Sequence, residues 1–213
     1  MSDMISDNLF STIKQIIEQG RKAVHYAVNT AMVETYWHIG RLILENEQKG
    51  ADRAEYGKKL IESISQKLTS EFGKGFSAQN LWNMRQFYNT FTSMQRELKV
   101  NNKDEILSAL RRELSWTHYK MLLSVEKKDA CIWYMNEAAD QNWSTRVLKR
   151  QINSLYYERL LMSPSKKPVV QEAKEKIAEI NQTPEDFLKD PYVLEFLGIR
   201  EQSHYRETEL EQA

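Results

Sequence analysis

Apolar residues along most of this chain recur at three- and four-residue spacing, and no stretch alternates at period two for long, so the pattern predicts helices and no confident strand. Ile13, Ile16, Ile17, Val24, Ala27, Val28 and Ala31 predict a helix from about Asp7 to Glu47. Gly20 and Gly40 interrupt it without proline, which leaves one long helix or two nearly continuous ones. A second helix over 52–71 carries Leu60, Ile61, Ile64 and Leu68 on one stripe. Phe72-Gly-Lys-Gly-Phe76 then turns the chain, with Gly73 placed where a left-handed backbone closes a helix. Ser77 reads as the N-cap of a helix to about Phe91 that buries Leu81, Met84, Tyr88 and Phe91.

Polar residues 93–104 read as a loop or a frayed helix end, with a short hairpin near 95–103 as the alternative. A short helix follows at 104–112, and Ser115 caps another from Trp116 to Val125. Lys127 to Ala139 is helical, with Cys131, Tyr134, Met135 and Ala138 on one side. After Asp140-Gln-Asn-Trp143, Ser144 caps a helix expected to run to Leu161, burying Val147, Leu148, Ile152 and Leu155. Beyond Ser163 come a helix over 169–180 and short helices introduced by Thr183-Pro184 and Asp190-Pro191.

Composition sharpens the division near residue 163. All four prolines lie after it, and Met162-Ser-Pro-Ser-Lys-Lys-Pro168 reads as a linker. The expected organisation is a helical domain over 1–163, then a linker and short helices over 164–213. The zero formal charge hides an asymmetry of +6 over residues 1–168 and −6 over 169–213. No apolar run approaches the roughly 20 residues needed to span a bilayer. The start, MSDMISDNLF, lacks a basic region followed by an apolar stretch, and Cys131 is a lone cysteine. These features predict a cytoplasmic chain without a disulfide framework, a cysteine-rich metal site or a membrane partner.

Two segments share a plan of helix, short turn and serine-capped helix, at 58–91 and at 127–161. In helix-turn-helix DNA readers the second helix of such a pair enters the major groove. In the first unit Lys74, Gln79, Asn80, Asn83 and Arg85 are the candidate nucleic-acid contacts, since Asn and Gln bond adenine edges and Lys and Arg meet phosphate. In the second unit the candidates are Arg146, Lys149 and Arg150, with Arg146 and Arg150 sharing a face at i, i+4. The competing structural readings are local backbone bonding for Asn80, an acid partner or stacking on Trp82 for Arg85, and a merely solvated face for Arg146 and Arg150.

Catalytic chemistry finds no constellation. The four histidines are scattered without a ligand pair, Ser115-Trp-Thr-His118 reads as a capping turn, and Gly73-Lys-Gly75 lacks the spacing of a phosphate loop. Trp37, Trp116 and Trp143 read as packing, and Cys131 lies on an apolar stripe.

Several phrases occur together in order: Ala27-Val-Asn29, Tyr36-Trp37-His-Ile-Gly40, Tyr56-Gly57, Phe72-Gly-Lys-Gly-Phe-Ser-Ala-Gln-Asn-Leu81, Met84-Arg85-Gln-Phe-Tyr88, Leu114-Ser-Trp-Thr-His-Tyr119, Trp143-Ser-Thr-Arg146, Arg150-Gln-Ile152 and Tyr157-Glu-Arg-Leu160. In these phrases, from about residue 8 to 199, the chain resembles the N-terminal domain of the YhcG family of bacterial proteins. The resemblance implies an all-α targeting domain that precedes a nuclease domain of the PD-(D/E)xK type. Such a nuclease holds Mg²⁺ with an Asp and a Glu-x-Lys on adjacent strands. Glu172-Ala-Lys174 sits in a helical context and does not supply that motif. The chain stops at Ala213, in what resembles the first helix of the nuclease domain, so the expectation is a truncated parent, with no catalysis and no cofactor in this chain. The implied partner is DNA. The alternative is a protein-interaction or oligomerisation module, in which the helix 7–47 pairs with a second copy or Trp82 or Trp133 docks a partner.

Overall fold

The computed structural model describes residues 2–47, 53–102, 105–178 and 191–197. The fold is all-α, and among the described residues there is no strand. The first helix, α1 (Ser2–Glu47), is continuous through both glycines. Its buried positions are Asn29, Met32, Val33, Tyr36, Trp37, Gly40, Ile43 and Glu47, one stripe at three- and four-residue spacing. Among the described residues nothing packs on that stripe before Val24, and residues 8–24 are exposed.

α2 (Arg53–Phe72) and α3 (Ala78–Thr92) pack against the buried half of α1 and against each other. Between them Gly73 takes φ +94°, and its amide donates to Thr69 O at 3.1 Å, as a closing residue without a Cβ should. A single 3-10 turn over Lys74–Phe76 follows, and Ser77 Oγ accepts from the Asn80 amide to start α3. α1 and α3 cross at Gly40: a Cβ there would lie 2.1 Å from Met84 O.

The rest of the body is built from short helices: α4 (Ile106–Ala109), α5 (Trp116–Leu122), α6 (Lys128–Asp140), α7 (Thr145–Asn153) and α8 (Tyr156–Met162). An aromatic cluster joins the two parts. Trp116 of α5 meets Tyr36 at 5.0 Å and Phe87 at 5.4 Å, and Tyr119 meets Phe87 and Phe91 at 5.1 and 5.7 Å. Such pairs each contribute about 1 kcal/mol beyond the area they bury.

Two sequence expectations change here. The helix expected from Ser144 to Leu161 is two helices, broken at Leu155, which has φ +51° and is exposed rather than buried. The break is held by Tyr134, whose hydroxyl donates to Gln151 O at 3.1 Å and accepts the Tyr157 amide at 3.0 Å. The region 95–100 is turns, with Lys99 at φ +57°, and no hairpin.

Past Ser163 the chain packs back on the body. α9 (Lys166–Ala178) lies on α8, where Glu172 ties Arg159 and Lys176 together and Ala173 is buried. α10 (Pro191–Phe196) contacts α1 and the 3-10 turn, with Phe196 6.0 Å from Tyr36 and Tyr192 hydrogen bonded to Lys120. The helices expected near Pro184 and after Glu207 lie outside the described residues.

Candidate nucleic-acid interface

The candidate surface comes from α3 and α7, the second helices of the two units, and α5 touches both. On α3 the inward stripe is Asn80, Leu81, Met84, Phe87 and Phe91. The outward side carries Gln79, Trp82, Gln86 and Asn89, with Asn83 half-buried at its edge. On α7 the inward residues are Val147, Leu148 and Gln151, and the outward ones are Arg146, Lys149 and Asn153. From Phe72 to Arg96, and again from Gln141 to Tyr157, the chain has no Asp or Glu. Both outward faces therefore belong to segments free of carboxylates, in a chain where acids equal bases.

The sequence-predicted residues separate into three groups. Lys74, Gln79, Arg146 and Lys149 are exposed, and Gln79 Nε2 donates to Asn83 Oδ1 at 3.3 Å. Arg85 and Arg150 are half-buried and anchored. Arg85 Nε donates to Glu47 Oε2 at 2.6 Å, and its guanidinium lies 4.7 Å from the Trp82 ring centroid. Arg150 Nη1 donates to Lys176 O at 3.4 Å, near the end of α9. Asn80 is a correction. It is buried, its Nδ2 donates to Gly75 O at 2.6 Å, and its Oδ1 accepts from Trp116 Nε1 at 2.9 Å. Both ends of the amide are spent on the fold, so Asn80 positions the turn and cannot reach a base.

Glu47 is the residue that the sequence pattern did not single out. It lies 38 positions from Arg85 and is nearly enclosed, so the pair is a fixed tie between α1 and α3 rather than a mobile surface bridge. A Cβ on Gly57 would stand 2.8 Å from Glu47 Oε1, so the glycine of α2 makes the room this carboxylate occupies.

His118 likewise holds shape. Its Nδ1 is 3.1 Å from the Ser115 amide and 2.8 Å from Ser115 Oγ, and its Nε2 is 2.9 Å from Trp143 O. An amide N–H only donates and a carbonyl only accepts, so this geometry has Nδ1 accepting and Nε2 donating. It fastens the cap of α5 to the turn that sets the start of α7. Ser115 and His118 thus form a reciprocal cap in a buried setting, as the capping reading had it.

Other chemistry is sparse. Cys131 is buried, with its thiol directed at Leu122 O and its pKa pushed up to about 12 by burial. Among the described residues no three His, Cys, Asp or Glu side chains are grouped to hold a metal ion. None of the described helices is long and apolar enough to cross a membrane.

Comparison with known proteins places the chain in a family. Residues 12–159 match the family described as the DUF1016 N-terminal domain. The Escherichia coli (strain K12) protein named "Putative nuclease YhcG" is 34% identical over 94% of this chain and 58% of its own length. The chain thus spans little more than half of that relative. No solved structure matches it. With the family's region covering α1 through most of α8, this chain belongs to the DUF1016 N-terminal domain family.

Proposed function

We propose that this chain is the DNA-binding module of a YhcG-like nuclease, acting in the cytoplasm, and that the cutting chemistry and its Mg²⁺ belong to another part of the parent protein. The observation that carries the reading is the outward face of α7. Arg146 and Lys149 are exposed on a serine-capped helix within a segment, 141–157, that contains no Asp or Glu. Lys74 adds a cation at the head of α3. Arg85 and Arg150 count for less as phosphate contacts, because an acid and a carbonyl already hold them.

The test is duplex binding followed by fluorescence anisotropy across a salt series. Three phosphate-contacting cations predict log K against log salt with a slope of roughly −3, falling to roughly −1 for Arg146→Ala with Lys149→Ala. Wild-type binding that is absent at about 50 mM salt, or a double variant with an unchanged slope, refutes the reading. Mg²⁺-dependent cleavage by this chain, abolished by EDTA, would refute the division of labour.

A second reading has its own observation. The exposed length of α1 carries Leu9, Phe10, Ile13, Ile16, Ile17 and Val24, all at least 46% exposed. Phe10, Ile13, Ile17, Gly20, Val24 and Ala27 alternate steps of three and four, the spacing of a two-helix seam. A second copy of the chain supplies the same spacing on both sides. Light scattering of the wild type and of Ile13→Glu with Ile17→Glu tests it. A wild type at the monomer mass at high micromolar concentration rejects dimerisation by α1.

A further inference from the structure

We infer that the outward face of α3 is a stacking platform for an unpaired nucleobase, with Trp82 as the base-contacting ring. The inference rests on the DNA-binding reading above and narrows the substrate to DNA with a single-stranded or extruded base.

Trp82 is 47% exposed although it sits at the middle of a helix whose inner stripe is filled. The other tryptophans are spent on the fold. Trp37, Trp116 and Trp143 are buried, and Trp133 packs among Tyr134, Tyr156 and Tyr157. Trp82 is also held in place. Arg85 stacks at 4.7 Å, and Arg85 is itself fixed by Glu47, so the ring has a rigid cationic backing. Nε of that guanidinium is tied to Glu47, so Arg85 backs the ring and is not counted as a phosphate contact.

The surroundings select the occupant. A tryptophan that docks a protein is normally ringed by other apolar groups. Here the helix positions three and four residues away are Ala78, Gln79, Arg85 and Gln86, none of them a large apolar side chain, with Asn83 adjacent in sequence. The Gln79–Asn83 hydrogen bond leaves Gln79 Oε1 as an acceptor and Asn83 Nδ2 as a donor on the same helix. That is a π face on a helix that carries amides and no carboxylate between Phe72 and Arg96, and the Glu47 carboxylate nearby is paired with Arg85. Intact duplex offers base edges in its grooves but hides the base faces. Only an unstacked base presents a face for the ring.

The experiment measures binding of a short oligothymidylate and of a duplex of equal length, by anisotropy and by quenching of tryptophan emission, for wild type, Trp82→Ala and Trp82→Phe. Wild type is expected to bind oligothymidylate with quenching. Trp82→Ala should lose that quenching and bind at least about ten-fold more weakly, while Trp82→Phe keeps most of the affinity. Duplex affinity and the salt slope set by Arg146 and Lys149 should not change in either variant. Oligothymidylate binding that is equally tight in Trp82→Ala, or that quenches nothing in wild type, overturns the platform. Binding of duplex alone also overturns it but leaves the DNA-binding reading intact, whereas binding of neither removes both.

Discussion

Gly40 is the position at which one added carbon should do the most damage. An alanine Cβ there would lie 2.1 Å from Met84 O and 2.7 Å from Met84 C, both backbone atoms of α3 that cannot rotate away. Bringing the nearest contact back to 3.0 Å requires α1 and α3 to part by about 1 Å. That movement opens the contacts of Trp37 with Phe87 at 5.5 Å and with Tyr88 at 4.7 Å. Overpacking of this kind costs about 3 kcal/mol, offset by about 1 kcal/mol from alanine's better helix propensity. The net loss is about 2 kcal/mol, which for a chain of this size lowers the melting temperature by roughly 5 °C. Gly20 supplies the control, because a Cβ there meets nothing within 4 Å. Circular dichroism melts and urea midpoints of Gly40→Ala and Gly20→Ala should diverge, the first falling and the second holding or rising. A Gly40→Ala protein that melts with or above wild type refutes the close crossing of α1 and α3.

Three other outcomes follow from named contacts. Asn80→Ala leaves Trp116 Nε1 and Gly75 O unpaired and should cost about 2 kcal/mol in urea unfolding, whereas unchanged stability with lost DNA binding would return Asn80 to the reading surface. Leu155→Gly relieves a left-handed backbone at an exposed side chain and should raise the urea midpoint by about 1 kcal/mol of stability; a fall would show that Leu155 is needed where it stands. The Cys131 thiol should ignore Ellman's reagent in the native protein and react fully in denaturant, so prompt native reaction would contradict its burial.

Local chemistry is what the sequence displays well. Ser77, Ser115 and Ser144 are each followed by a helix, and a cap depends only on residues within one turn. The break at Leu155 was invisible for the opposite reason. Ser154-Leu155 contains no glycine, proline or asparagine, and the device that tolerates the break is the Tyr134 hydroxyl, contributed from another helix. Asn80 follows the local-backbone alternative, and the spacing carries the signal for it. It continues the stripe of Met84, Phe87 and Phe91, and that spacing places it inside. Arg85 had two structural alternatives, an acid or Trp82, and it takes both. No spacing rule names Glu47 as that acid, because only the crossing of α1 and α3 brings the two together. The exposed arm of α1 is similar: its stripe is legible, but which part finds a partner within the chain is a tertiary fact.

The charge arithmetic also limits what the proposed module achieves alone. Removing Asn80 and discounting Arg85 and Arg150 leaves Lys74, Arg146 and Lys149 as the exposed cations of the surface. Three phosphate contacts give weak, salt-sensitive binding, and one stacked base adds a modest, sequence-tolerant increment. A surface of this strength dwells on DNA only if something holds it near. Two copies joined through the arm of α1 would double the cations and make the second engagement intramolecular, as would attachment to another DNA-contacting domain. The dimer and DNA-binding readings therefore bear on each other in a measurable way. If α1 pairs two copies, Ile13→Glu with Ile17→Glu should weaken DNA binding and roughly halve the salt slope, although neither residue touches DNA. If the slope survives monomerisation, the three cations of one chain act alone and the arm serves a different partner.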